Sequence, residues 1–476
     1  MLLIVQKISS FPVYHILTYS KKQFLYLWVF IKMRKLLFLV FLLLSGLLHA
    51  QKSTVSGYVK EAASGEGLIG ASVYVKELKT GNVTNTYGFY SLTLPLGKYT
   101  LVFSSSGFKK KEQEIQVSAK SQEISVELST DSQELAEVIV KARANDENVR
   151  GIEMSVNKVD IKTIRKIPAL LGEVDLVRAI QLLPGVSTVG EGASGFNVRG
   201  GGVDQNLVLL DDAPVYNSSH LFGFFSVFNP DAVKDVKLFK GGIPSMYGGR
   251  ASSILDVKMK EGNAKKLEVN GGIGVIFSRL SIEAPIVKDK ASFIVAARRS
   301  YIDVLAKPFL TGNSANSKFS FYDLTAKVNY TINTKNTVFM SGYFGRDVFG
   351  TGFGFDWGNT TLTTRWNHVF SNKLFLNATA FYSNYDYMLD SDIENKRPND
   401  AFKWTSNIEN LSIKPDFTYY WRPDNTITFG GQLLSYDFTP GKANATSNGE
   451  KREFGQANKR GVEASAYVGH DWKLSS

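Results

Sequence analysis

From residue 172 the chain reads Gly172–Leu183, Pro184-Gly185-Val186, Phe196-Asn197-Val198-Arg199-Gly200-Gly201, Gln205–Leu210 and Asp211-Asp212-Ala213-Pro214-Val215-Tyr216. Lys234–Phe239 follows, then Gly241-Gly242-Ile243-Pro244-Ser245-Met246-Tyr247-Gly248-Gly249-Arg250 and Ile254–Met259. Val174, Val177, Ile180 and Leu183 fall on one face of a helix over 172–183, and Pro184-Gly185 stops it. The later segments are short apolar strands separated by glycine turns. Gly200, Gly201, Gly248 and Gly249 let backbone segments approach closely or take positive φ. Gly190–Gly195 has the spacing of a dinucleotide fingerprint, but the strand-like Phe196–Arg199 follows it instead of a helix, so no pyrophosphate site is expected. The segment is a small α+β domain.

Downstream of Gly262 the pattern changes to hairpins. Ten strands are expected, near 266–275, 277–285, 291–301, 320–332, 336–346, 358–370, 373–387, 403–421, 426–438 and 460–472. Apolar and polar residues alternate along them, as in Phe339, Ser341 and Tyr343 against their neighbours. The connections are unequal. Lys288–Lys290, Asn333–Lys335, Ser371-Asn372 and Arg422–Asn425 are short, whereas Ala306–Phe319, Asp347–Trp357, Met388–Phe402 and Thr439–Lys459 are long. Short turns at one end and long loops at the other, with aromatic groups near strand ends (Phe381-Tyr382, Tyr419-Tyr420-Trp421), is the pattern of an antiparallel barrel in an outer membrane.

Upstream, Thr54–Leu128 consists of period-2 runs separated by glycine turns: Val55–Val59, Ala71–Val75, Phe89–Leu92, Tyr99–Phe103, Ile115–Val117 and Ile124–Leu128. This spacing predicts a small Ig-like β-sandwich. Between it and the α+β domain, Glu134-Leu135-Ala136-Glu137-Val138-Ile139-Val140 is β-prone with an acidic lead and a polar tail. An extended segment of this kind can add a strand to another protein's sheet edge; the alternative is a last strand of the sandwich. Near the N-terminus, Met33-Arg34-Lys35 precedes the apolar Leu36–Leu48 and then His49-Ala50-Gln51. That run is too short to span a bilayer as a helix and has the form of a cleaved signal peptide. Residues 1–32 are read as an early-placed start.

Charge and inventory exclude several functions. The net charge is +11, but residues 1–50 hold six bases and no acid, which leaves +5 for the remainder. The basic pI is therefore no argument for a nucleic-acid partner. Cysteine is absent, so disulfides, thiolate metal sites and a lipidated cysteine are excluded. Past the signal, the histidines are His220, His368 and His470, with no Walker A, Gly-x-Ser-x-Gly or His-Glu-x-x-His motif. No enzyme, catalytic residue, metal site or cofactor is expected.

The sandwich resembles the carboxypeptidase regulatory-like domain through Gly57, Gly70-Ala71, Thr86-Tyr87-Gly88-Phe89-Tyr90 and Gly97-Lys98-Tyr99. The ordered series Leu183-Pro184-Gly185-Val186, Val198-Arg199-Gly200-Gly201, Leu210-Asp211-Asp212-Ala213-Pro214-Val215-Tyr216 and Tyr247-Gly248-Gly249-Arg250 resembles the plug of TonB-dependent outer-membrane receptors of the Bacteroidetes type, and Glu134–Val140 resembles their TonB box. The resemblance implies a mainly β chain: signal peptide 33–50, sandwich 53–129, hinge 130–150, plug 151–262, and the first ten or so strands of a transmembrane barrel over 263–476. Its implied function is import of a scarce, bulky solute (siderophore, cobalamin, glycan or peptide), driven by the proton-motive force through TonB. Outer-membrane lipids, the solute and a surface lipoprotein are the other partners, and the sandwich and hinge lie in the periplasm. A ligand-sensing or docking protein without transport, or a passive porin, is the alternative.

Within that frame, Tyr216, Asn217, His220 and Phe222 are candidate ligand contacts, with core packing as the competing role for the aromatics around them. Arg199 and Arg250 are candidate plug-to-wall ion-pair residues needing carboxylate partners. Ten strands at about 7 Å each give a barrel about 22 Å across, too narrow for a plug about 34 Å wide, whereas about 22 strands would hold it. The barrel is therefore expected to be incomplete.

Overall fold

The computed structural model describes residues 32–34, 52–131, 156–159, 161–164, 174–190, 195–311, 317–350, 353–391 and 401–473. Most of the expected signal-peptide segment 33–50 and all of Glu134–Val140 lie outside them. Residues Met1–Lys52 form a separate unit in which 32–34 is a helical turn. Ser53–Ser476 forms one unit that contains sandwich, plug and strand wall.

The sandwich has two sheets. One carries strands Phe89–Pro95 and Lys52–Glu61, with Gln122–Glu123 and Val126–Leu128 pairing in parallel along the latter. The other runs Thr80–Val83, Ser72–Val75, Gly97–Ser104, Lys111–Val117. Their inner faces bury Val55, Val59, Val73, Tyr90, Leu92, Leu101 and Phe103. Gly57 is required where Lys52–Glu61 meets the incoming chain, because a Cβ there would lie 2.0 Å from the carbonyl oxygen of Ile124. Thr80–Val83, a strand not expected from sequence, has the composition Thr-Gly-Asn-Val, whose single apolar residue shows no alternation.

The plug sheet has the order Ala213–Pro214, Asn206–Leu210, Ser253–Met259, Val233–Phe239, Val156–Val159. The pair 206–210 and 253–259 is parallel, and the other pairs are antiparallel. Its helix is shorter than expected within the described residues: Leu176–Gln181, capped by the Asp175 side chain accepting from the Arg178 N–H at 2.9 Å. Leu176, Val177, Ala179 and Ile180 are packed with Val236, Leu238, Leu255 and Val257 of the sheet. The strand Phe196–Val198 follows the glycine run, as expected, and pairs with Val186–Thr188.

All ten expected wall strands are present: 268–273, 277–287, 291–300, 318–333, 336–350, 354–371, 374–390, 401–422, 425–447 and 459–472, each antiparallel to the next. Two expected loops are corrected. Asp347–Gly350 and Gly354–Trp357 are strand, paired with each other up to Gly350↔Gly354. Within this pairing, Arg346 and Asp356 form an ion pair across the strands. Thr439–Lys459 continues as strand to Ser447 and returns through Glu450–Gly455.

The wall is polar inside and apolar outside. Along 318–333, Asp323, Thr325, Lys327 and Asn329 are buried, while Tyr322, Leu324, Val328 and Tyr330 are exposed. Along 354–371, Asn359, Thr361, Thr363, Arg365 and Asn367 are buried and Leu362 and Trp366 exposed. A soluble protein has the opposite sense; a barrel in lipid has this one. The plug, with the sandwich at the short-turn end, supplies the contacts that bury the polar face.

Candidate functional site

Among the described residues, two buried polar seams join the plug to the wall, beside small apolar contacts. The first is built on Leu210-Asp211-Asp212-Ala213. Strand 206–210 ends here, and Asp211 (φ 47°) and Asp212 (φ 75°) both take left-handed backbone to turn into Ala213–Pro214. The main chain is secured by the Asp211 N–H donating to Val257 O at 2.9 Å and the Met259 N–H donating to Asp211 Oδ1 at 3.0 Å. The strained turn aims both carboxylates at bases. Lys258 Nζ of the plug donates to Asp212 Oδ1 at 2.6 Å, Lys327 Nζ of the wall lies 3.0 Å from Asp211 Oδ2, and Arg365 of the wall pairs with Asp212 Oδ2. Burial would raise both carboxyls, but Lys327 and Arg365 around Asp211, and Lys258 and Arg365 around Asp212, hold them below the usual carboxylate range. Lys258 is correspondingly held above the ordinary lysine value: burial opposes its charge, and Asp212 and Asp256 outweigh it.

The second seam is built on His220. Its Nδ1 lies 2.6 Å from Asp347 Oδ2 and its Nε2 3.2 Å from Asp323 Oδ2, both on the wall. The ring stacks on Phe321 with centroids 4.5 Å apart, and the Tyr343 hydroxyl is 3.3 Å from Nε2. Arg298 donates to Asp323 Oδ2 at 2.6 Å and to Ser226 O of the plug at 2.9 Å. Burial would lower the imidazole's affinity for its proton, but the Asp347 and Asp323 carboxylates win and push it up to about 9. His220 is therefore an imidazolium donating to two wall carboxylates at neutral pH. It is 1% exposed, so its place is in the anchor and not on a ligand-facing surface.

The other expected contacts lie above this seam. Tyr216 Oη accepts from Asn410 Nδ2, the Tyr216 N–H donates to Asn359 Oδ1 at 3.3 Å, and Asn359 Nδ2 donates to Asn217 O at 2.8 Å. Leu221 (φ 49°), Phe222 (φ 56°) and Gly223 (φ 97°) form a run of left-handed residues held by the Leu221 N–H donating to Asp347 Oδ1 at 2.8 Å. This run lifts Phe222, 39% exposed, against Phe349, Phe355 and Trp357 at the long-loop end of the wall. Phe224 is exposed and Phe225 is buried. Tyr216, Asn217 and Phe222 thus share one end of the plug.

The arginines differ from expectation. Arg199 sits at φ 49° in the tight turn Arg199-Gly200-Gly201, where a Cβ on Gly201 would lie 2.4 Å from Ser252 Oγ. Arg250 donates to Gly249 O at 2.8 Å beside Gly248 and Gly249, which face open space. Both arginines are exposed. The buried plug-to-wall pairs are made by other residues and run in both senses: Asp211 and Asp212 of the plug on wall bases, and His220 of the plug on wall acids. Arg298, Asp323, Lys327, Asp347 and Arg365 were not singled out from sequence. The signal available was parity: each is a charged residue on the inward phase of a strand whose outward phase is apolar.

A family model for the carboxypeptidase regulatory-like domain matches residues 55–140, and one for the TonB-dependent receptor plug domain matches residues 148–253. The first match includes Glu134–Val140. TonB-dependent receptor P3 of Formosa agariphila is 26% identical over 311 residues, covering 61% of this chain and 29% of the relative. TonB-dependent receptor SusC of Bacteroides thetaiotaomicron is 28% identical over 242 residues, covering 47% of this chain and 23% of the relative. The chain thus spans under a third of the length of these relatives, which are receptors and not enzymes. Among solved structures, the copper transporter OprC superposes with a TM-score of 0.50 at 13% identity, over 68% of this chain and 53% of that one, a likeness of fold alone. The chain thus carries a domain matching the carboxypeptidase regulatory-like model and one matching the TonB-dependent receptor plug model, followed by an antiparallel strand wall with the fold of an outer-membrane β-barrel.

Proposed function

We propose that the chain serves an outer-membrane receptor that imports a scarce, bulky solute, with TonB transmitting the energy of the proton-motive force to the plug. The observation that carries this reading is the character of the plug-to-wall seams. They combine buried ion pairs and hydrogen bonds with small apolar contacts (Ala213 with Phe381 and Leu434, Phe225 with Phe277 and Phe321, Ala232 with Ile294 and Ala296), while the plug's main apolar core is built almost wholly from its own residues. A body whose main core is its own can shift against the wall while keeping most of its apolar surface buried. A passive pore has no need of such a stopper. Siderophore, cobalamin, glycan and peptide all fit as solute. Tyr216, Asn217 and Phe222 are the plug residues proposed to meet it, outer-membrane lipids cover the exposed apolar phase of the wall, and a surface lipoprotein is a further proposed partner.

Glu134–Val140 is the proposed TonB-binding segment. Strand addition needs backbone donors, and proline supplies none. Val138→Pro or Ile139→Pro should therefore abolish uptake and capture by the periplasmic domain of TonB while leaving surface ligand binding intact. If proline leaves TonB capture unchanged, this segment is not the coupling site. A sandwich made protease-sensitive by the same substitutions would assign Val138–Val140 to its last strand.

A further inference from the structure

The sandwich docks at the short-turn end of the wall, and one of its strands is covered on both faces. Along Phe89–Pro95, Tyr90, Leu92 and Leu94 fill the sandwich core, yet Phe89 and Ser91 are buried as well. Their cover is the wall. Phe89 stacks on Phe375 at 5.3 Å and meets Tyr420 at 6.0 Å, and Ser91 Oγ donates to Asn372 O at 2.5 Å. Tyr87, just before this strand, reaches further in. Its hydroxyl donates to Asn377 Oδ1 at 2.9 Å, and its ring lies 5.5 Å from the Arg365 guanidinium. That is the guanidinium paired with Asp212 of the plug. Sandwich, wall and plug therefore meet on one side chain. A second contact joins sandwich and plug directly, the Glu261 N–H donating to Glu66 Oε1. Beside the aromatic contact lies a cavity of about 290 Å³ lined by Lys60, Glu66, Glu123, Glu261, Asp289 and Lys290 among others. One side of the dock is apolar and the other is polar and roomy enough for water, a combination suited to reversible release.

We propose that the sandwich is a second, inner stopper, and that its docking is coupled to anchoring of the plug through Arg365. A docked Tyr87 fixes the guanidinium in the position that meets Asp212. An anchored Asp212 in turn holds the guanidinium where the Tyr87 ring covers it. Coupling of this kind is reciprocal, so release of either body must weaken the other by the same factor. The proposal extends the import reading, but its test involves no uptake, so either can fail alone.

The chain has no cysteine, so single thiols can report each body. Ser91→Cys probes the dock; Ala213→Cys, 0% exposed beside Phe381, probes the plug seam. Maleimide labelling rates are measured on the full chain in outer-membrane vesicles without TonB or ligand. Tyr87→Leu should speed labelling of Ala213→Cys, and Asp212→Asn should speed labelling of Ser91→Cys, each on the order of tenfold, the scale of a desolvated cation–π contact. Tyr87→Phe, which keeps the ring and loses the bond to Asn377, should leave both probes protected. The proposal is overturned if each substitution releases only its own body. It also fails if Tyr87→Phe releases the plug as fully as Tyr87→Leu, because the link would then run through Asn377.

Discussion

Replacing His220 by glutamine tests the anchor at its titrating point. The buried imidazolium donates to Asp347 and Asp323, with Arg298 and Tyr343 completing its surroundings. Its pKa is raised from 6.5 to about 9. A group whose folded value is raised adds stability that is complete below its unfolded value and is lost as pH climbs through the folded one. The contribution is thus whole below about pH 6.5, worth about 3 kcal/mol at 1.36 kcal/mol per decade, and has largely gone by about pH 9. Thermal or denaturant unfolding of the plug, read by protease protection across pH 6 to 10, should show wild-type anchoring falling by about 2 kcal/mol between pH 7 and 9. His220→Gln should start lower and stay flat over that interval, since its amide can still donate to one carboxylate but cannot titrate. Parallel curves for the two proteins would refute the assignment of an imidazolium to this seam.

The acidic seam should be more fragile still. Asp212→Ala leaves Lys258 and Arg365 buried together and should cost about 3–5 kcal/mol of plug stability, seen as a drop in its unfolding midpoint. Adding Arg365→Met should recover part of that loss, and full additivity would argue against the pair. Gly57→Ala should destabilise the sandwich by about 1–3 kcal/mol, because the new Cβ has no room beside Ile124 O; calorimetry of the intact chain checks it, and an unchanged transition would contradict the packing. The exported protein should begin at or near Gln51. N-terminal sequencing of outer-membrane material decides this, and retention of Leu36–Leu48 would exclude cleavage there.

Much of the fold was legible because period 2 is a local signal. Tyr322, Leu324 and Val328 alternate with Asp323, Thr325 and Lys327, and any window of six residues shows it. Turn residues then marked the ends of strands, except at Asp347–Trp357, where the glycines made paired strand up to Gly350↔Gly354 read as loop. The seams were less legible because they are joined by distance. Asp212 meets Arg365 across 153 positions, and His220 meets Asp347 across 127. Nothing near Asp211-Asp212 announces which bases will face it, and His220 sits in an aromatic stretch that reads as a surface. Its burial comes from strands that no local window contains. The arginines misled for a related reason: a charge in a glycine-rich motif draws attention, but Arg199 and Arg250 stand in turns whose sharpness keeps them at the surface.

The inward face of the wall has an electrical consequence once the plug moves. Lys327 and Arg365 are neutralised by plug acids, and Arg298 is shared between Asp323 and the plug backbone. Withdrawal of Asp211 and Asp212 would leave Lys327 and Arg365 lining a newly wetted passage, uncompensated, while loss of His220 would leave Asp347 as a counterweight nearer the long-loop end. Conductance of a plug-deleted protein should accordingly favour anions, and Arg365→Gln should reduce that preference. The side chains that fasten the stopper would then act as a charge filter, repelling small cations from the opening while it stands empty.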